Sequence, residues 1–189
     1  MGSFISNIKG SAGKFVLKKR LSHFKREKRL INLHSAKTIG IVYTVTGEDV
    51  FNTVKKLVKE LTSRQRQVMA LGFVNRKSIP NYCIAANSGY HFSQSDLNWF
   101  GAPRNAYIAE FMNTEFDILI DLNMESAYVL DFITSLSKAK FKVGRHDENL
   151  QPSLDMIIKM QPGTSIEAFI EQIIHYLVII KPKSATGSE

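Results

Sequence analysis

Thr38–Thr44 is a β-branched run of strand length, and it is followed almost at once by apolar residues at helical spacing: Val50, Phe51, Val54, Leu57, Val58 and Leu61. A β-branched run without polar alternation suits a strand covered on both faces, and a strand leading into an amphipathic helix is half of a βαβ unit. Thr46, with Asp49 three residues later, has the spacing of a capping box, so the helix is expected from about Gly47 to Leu61. The alternation continues. Gln67–Val74 is expected as a second strand, with short strand candidates at 82–85 and Tyr90–Phe92, then a helix over Asn105–Met112. Phe116–Leu122 has the strongest strand pattern, Ser126–Ser137 reads as the helix after it, Phe141–Val143 and Leu154–Lys159 as strands, and Ser165–Ile179 as the closing helix. Strands and helices in this order predict an α/β fold: a three-layer, Rossmann-like, mostly parallel sheet.

Residues 1–36 follow different rules. Nine basic side chains there face Glu27 alone, a difference equal to the whole net charge of +8. Everything after them is electrically balanced, so the chain divides into a basic amphipathic helical arm (1–36), a folded body (37–182) and a small polar tail expected to be disordered (183–189). Gly10, Ser11 and Gly13 interrupt the arm, predicting a short segment over Phe4–Lys9 and a longer helix from about Lys14 to Leu30. On that helix Leu17, Leu21 and Phe24 form a narrow apolar stripe, with the cations mostly opposite.

Several function classes lose support from residue content. No apolar run exceeds the five residues of Tyr176–Ile180, far too short to span a bilayer. Cys83 is the only cysteine, which excludes an intramolecular disulfide and a CxxC pair and fits a reducing compartment. Five scattered histidines lack metal-ligand spacing, so neither metal nor cofactor is expected. The Val45-Thr46-Gly47-Glu48 loop has one glycine where a dinucleotide fingerprint needs three, and Glu48 and Asp49 oppose a phosphate there. No Gly-x-Ser-x-Gly elbow is present. Gly2 and Ser6 match the short myristoylation pattern, which matches by chance often. With no catalytic motif standing out, a non-enzymatic module is the leading reading and an enzyme stays among the alternatives.

Three groups of residues stand out as candidate sites. Lys14, Lys18, Lys19, Arg20, Lys25, Arg26, Lys28 and Arg29 would contact an anionic partner, while Leu17, Leu21 and Phe24 seat the helix on protein or lipid. A solvated helix packed on the body is the plainer alternative. Asn98, Trp99 and Phe100 form an aromatic loop that serves either as a partner anchor or as a plug over the sheet edge. If the strands of Thr44 and Asp121 are neighbours, Thr44, Thr46, Asp121, Arg145 and His146 would line a ligand pocket at the sheet's carboxyl edge, together with Gly47, Asn123 and Asp147. Thr46 and Asp121 are equally ordinary as a helix cap and a strand-end turn residue.

The segments Lys37–Ile41, Ala70–Val74, Asp96–Gly101 and Ser137–Gly144 together resemble a bacterial family of small, uncharacterised α/β proteins, over roughly Lys37 to Gly144. That resemblance implies a domain and a bacterial cytoplasm, and transfers no catalytic residue. Phe116–Asp121 followed by Ser137–Gly144 is also similar to the amino-terminal Rossmann-like domain of heptosyltransferase-type glycosyltransferases. This likeness implies the fold only, since the second, nucleotide-sugar domain of such enzymes has no counterpart here. The expected function is an accessory module whose arm docks on structured RNA, such as the ribosome, or on an anionic membrane surface, without DNA sequence specificity. A cytoplasmic protein, or one peripheral to the inner face of the membrane, fits both. A small-ligand binder or enzyme using the sheet edge, and a subunit of a larger protein complex, are the alternatives.

Overall fold

The computed structural model describes residues 2–84, 89–146 and 153–181, and side chains from Ala12 onward. The expected tail 183–189 and Asp147 lie outside the described residues. Six strands form one sheet in the order β3-β2-β1-β4-β5-β6, and every pairing is parallel. In chain order they are β1 (Thr38–Thr44), β2 (Gln67–Val74), β3 (Tyr90–Ser93), β4 (Ile118–Asp121), β5 (Phe141–Arg145) and β6 (Met156–Ile158). The helices are α1 (Gly2–Leu21), α2 (Glu48–Ser63), α3 (Asn81–Ile84), α4 (Ala106–Asn113), α5 (Tyr128–Leu136) and α6 (Ile166–Ile179). The strand order reverses between β1 and β4, so the fold is doubly wound and Rossmann-like.

Alternation along the central strands sorts the core. Ile39, Ile41 and Tyr43 of β1 and Ile118 and Ile120 of β4 pack with Phe51, Val54 and Leu57 of α2 and with Phe169 and Ile173 of α6. Val42 and Leu119 point the other way, toward Ile108 and Phe111 of α4 and Val129, Leu130 and Ile133 of α5. Both faces of the sheet are thus covered, as the continuous apolar strands require. α5 is buried from Val129 to Leu136, because α1 lies over its outer side. Phe132 and Leu136 of α5 pack there with Val16, Leu17, Leu21 and Phe24. The arm is therefore a partial fourth layer.

Four expectations are corrected. The arm is one helix from Gly2 to Leu21, not a short segment and a helix reaching Leu30. Gly13 is a contact point rather than a break: a Cβ there would meet Tyr128 Cζ at 2.7 Å and the Phe100 carbonyl at 2.8 Å, and the Tyr128 hydroxyl donates to the Gly13 carbonyl at 2.7 Å. Close packing overrides low helix propensity. Beyond Leu21 the chain unwinds and runs along β5, with Arg29 N donating to the Lys140 carbonyl. The strand expected at 82–85 is instead the single turn α3, whose Cys83 N bonds back to the Pro80 carbonyl, with Ala85 outside the described residues. Pro80 presets a turn. Finally, α2 is capped by the extended Gly47 without a side-chain bond, and Thr46 is exposed.

Candidate functional site

Parallel strands end together, so the carboxyl ends of β1 and β4 bring Thr44 and Asp121 to the point where the strand order reverses. Asp121 is buried, and its carboxylate accepts from Asn123 N at 2.9 Å and from the Thr134 hydroxyl at 2.7 Å. Thr44 Oγ1 donates to Asn123 Oδ1 at 2.6 Å. Arg145 Nε reaches the Asn123 carbonyl at 3.3 Å, and its Nη1 reaches the His146 carbonyl. Thr44, Asp121 and Arg145 are brought together through Asn123, and His146 is adjacent, while Thr46 stands apart on the exposed loop. The cluster is chiefly a network that ties the end of β4 to β1, β5 and α5.

In the aromatic loop, Asn98 organises the turn: its Oδ1 accepts from Phe100 N and Ala102 N at 3.1 and 3.0 Å. Gly101 closes that turn at φ +84°, a conformation that glycine supplies without strain. Trp99 is left 65% exposed, and Phe100 is the half-buried ring that joins the arm cluster.

The arm presents two different sides. Leu17, Leu21 and Phe24 face α5, and Arg20 lays its guanidinium 5.3 Å from the centroid of Phe132. Lys14, Lys18 and Lys19 are exposed, and no ion pair among the described residues engages them, nor Arg20, Lys25 or Arg29. Phe15 projects among these lysines, 70% exposed. Arg26, expected as a phosphate contact, is turned inward. Its Nη2 lies 2.7 Å from both oxygens of Asp155, its Nη1 donates to the Ala139 and Lys140 carbonyls, and its side chain is 5% exposed. Lys28 Nζ approaches the same Asp155 at 3.7 Å. Because Asp155 also accepts from Lys142 N, Arg26 works as a strut between the arm, β5 and the approach to β6.

Beneath Phe24 lies Lys142, a fully buried lysine in mid-strand. Its ammonium donates to the Thr134 and Ser135 carbonyls at 2.6 and 3.0 Å, near the carboxyl end of α5, where the helix dipole favours a cation. The Phe24 ring centroid is 5.5 Å away. Burial lowers the Lys142 pKa from 10.5 to about 7; Arg26 and Lys28 add to the fall, and Asp155 opposes it. Lys142, Arg26, Lys25 and Lys28 line a groove of about 520 Å³ together with Ser135 and Ser153, whose hydroxyls bond each other at 3.0 Å. Sequence reasoning missed this site. The available signal was a lysine at the centre of Phe141–Val143, a strand expected to be covered on both faces.

Elsewhere, Cys83 is buried and its thiol is pushed up to about 11 by burial, so it is a poor nucleophile at neutral pH. No helix among the described residues is long and apolar enough to cross a membrane.

These features define a class: a doubly wound α/β domain with its basic amino-terminal helix strapped across one face. The chain belongs to the family of unknown function DUF6913, which matches it over residues 9–180. The match takes in the arm from Lys9 as well as the body, so arm and sheet form one unit of family similarity. No curated protein and no solved structure matches the chain.

Proposed function

We propose that this protein is a non-enzymatic RNA-docking module of the bacterial cytoplasm, gripping phosphates with the outward face of α1. The observation that carries the proposal is the division of the arm. Its apolar stripe is occupied by Phe132 and Leu136 of the body, while Lys14, Lys18 and Lys19 are exposed and without carboxylate partners among the described residues. A membrane-binding helix needs its apolar side for lipid, and here that side already has an occupant. Phosphates ask only for the cations. Lys25, Lys28 and Arg29 extend the charged surface past the helix, and Arg26 holds that extension in place.

The test is binding of the full chain to a ribosomal RNA hairpin across a salt series. Affinity is expected to fall steeply with salt, and Lys14→Gln/Lys18→Gln/Lys19→Gln is expected to flatten the log–log slope by about 0.7–0.9 for each phosphate that is no longer neutralised. An unchanged slope in the triple variant, or no binding at low salt, overturns the proposal. One observation favours lipid instead: Phe15, which is exposed among the lysines. Sedimentation with anionic liposomes that depends on Phe15, without RNA binding, would assign the arm to a membrane surface.

A further inference from the structure

Among the described residues, the groove between the arm and β5 holds more positive charge than carboxylates pair with. Lys25, Arg26 and Lys28 descend from the arm, and Lys142 rises from the sheet. Asp155 pairs with Arg26 and Lys28, and it is the one carboxylate in an ion pair with any of the four among the described residues. Confined cations that repel one another favour an anion between them, and the effect is strongest where water is scarce. The groove is also roomy. Its walls include Leu21 and Phe24, and its polar surface includes the hydroxyls of Ser135 and Ser153. Apolar walls beside converging cations and hydroxyls suit an organic molecule carrying a phosphate.

We propose that this groove binds a small phosphorylated molecule, with Lys25 and Lys28 holding the phosphate while Arg26 and Lys142 lie beneath it. Arg26 remains bound to Asp155 in this arrangement, so its strut is not broken. The site is separate from the outer face of α1, and the inference does not rest on RNA binding by that face. Lys142 adds a signature that a surface patch of lysines lacks. The charged groups facing it are Arg26 and Lys28 from the arm and Asp155 from the approach to β6, with Lys25 at the rim, while α5 offers carbonyl oxygens. Adding a phosphate among them favours the protonated amine, so binding near neutral pH takes up a proton.

Calorimetry of the full chain with inorganic phosphate, AMP and adenosine, in buffers of different ionisation enthalpy, tests the site. Phosphate and AMP are expected to bind saturably with proton uptake at pH 7.5, and adenosine is not. Lys25→Gln/Lys28→Gln is expected to weaken AMP by about tenfold or more. Lys142→Met is expected to abolish the proton uptake. Lys14→Gln/Lys18→Gln/Lys19→Gln is expected to bind AMP as the parent does, even where its RNA binding is lost. Absence of saturable phosphate binding overturns the inference. So does binding that survives Lys25→Gln/Lys28→Gln but fails in the outer-face variant, since the anion would then sit on the helix surface. If Lys142→Met does not fold, the exposed Lys25 and Lys28 pair still decides the outcome.

Discussion

The carboxyl edge of the sheet and the groove under the arm are both polar and behave oppositely. At the edge, Asp121, Asn123, Thr44 and Thr134 spend their polar atoms on one another, in the place where doubly wound folds usually hold a ligand. Under the arm, the side chains of Arg26 and Lys28 share Asp155, the Lys142 ammonium has only carbonyl oxygens as hydrogen-bond partners among the described residues, and open space remains beside them. A fold therefore nominates a position for a site, and the charge balance of the side chains decides whether the position is used. Here the imbalance lies away from the nominated place.

The comparison can be broken in several ways. Phe132→Ala removes the ring that carries both the arm stripe and Arg20, and it is expected to cost about 3–5 kcal/mol in urea unfolding. A loss near zero would mean that the arm is not part of the cooperative unit. Asp121→Ala strands Asn123 N and the Thr134 hydroxyl, with an expected loss of about 2–3 kcal/mol and no change in AMP binding. Unchanged stability joined to abolished AMP binding would instead make the edge a site. Arg26→Gln leaves Asp155 and two backbone carbonyls without their main partner, for about 2 kcal/mol, with the arm showing faster amide exchange.

The remaining contrast concerns protons. The unfolded chain keeps Lys142 protonated up to about its ordinary value of 10.5, whereas the folded chain releases that proton near 7. Between these values the unfolded state holds more protons, so this residue makes stability rise with pH through that window. Lys142→Met is expected to flatten the rise in denaturation midpoints measured from pH 7 to 10. A rise that persists would place its origin in another group. Smallest of all, Lys18→Gln is expected to leave the melting temperature unchanged while lowering the RNA salt slope.

Local sequence was informative where local rules govern. Thr38–Thr44 and Gln67–Val74 occupy the expected residues because apolar β-branched runs bounded by polar turns leave little choice. The adjacency of β1 and β4, on which the candidate pocket depended, is also present. Gly13 misled, because its effect on helix propensity is local whereas its contact with Tyr128 is distant in the chain. In the Trp99 loop the plug expected over the sheet edge is not formed by Trp99, which is exposed, while Phe100 packs on the arm cluster instead. The Arg26–Asp155 pair spans 129 positions, and no spacing rule joins residues so far apart. Lys142 was within reach of reasoning about strands, since a charge in a doubly covered strand must find partners or give up its proton.

The distance from Arg26 to Asp155 also bears on synthesis. The arm is translated first, yet its anchoring points, Phe132, Lys140 and Asp155, come from the last third of the chain. Until those residues leave the ribosome, the arm has no complete surface to lie on. Strapping the arm down is therefore a late event of folding, and a chain stalled before residue 155 would still lack the carboxylate that holds Arg26.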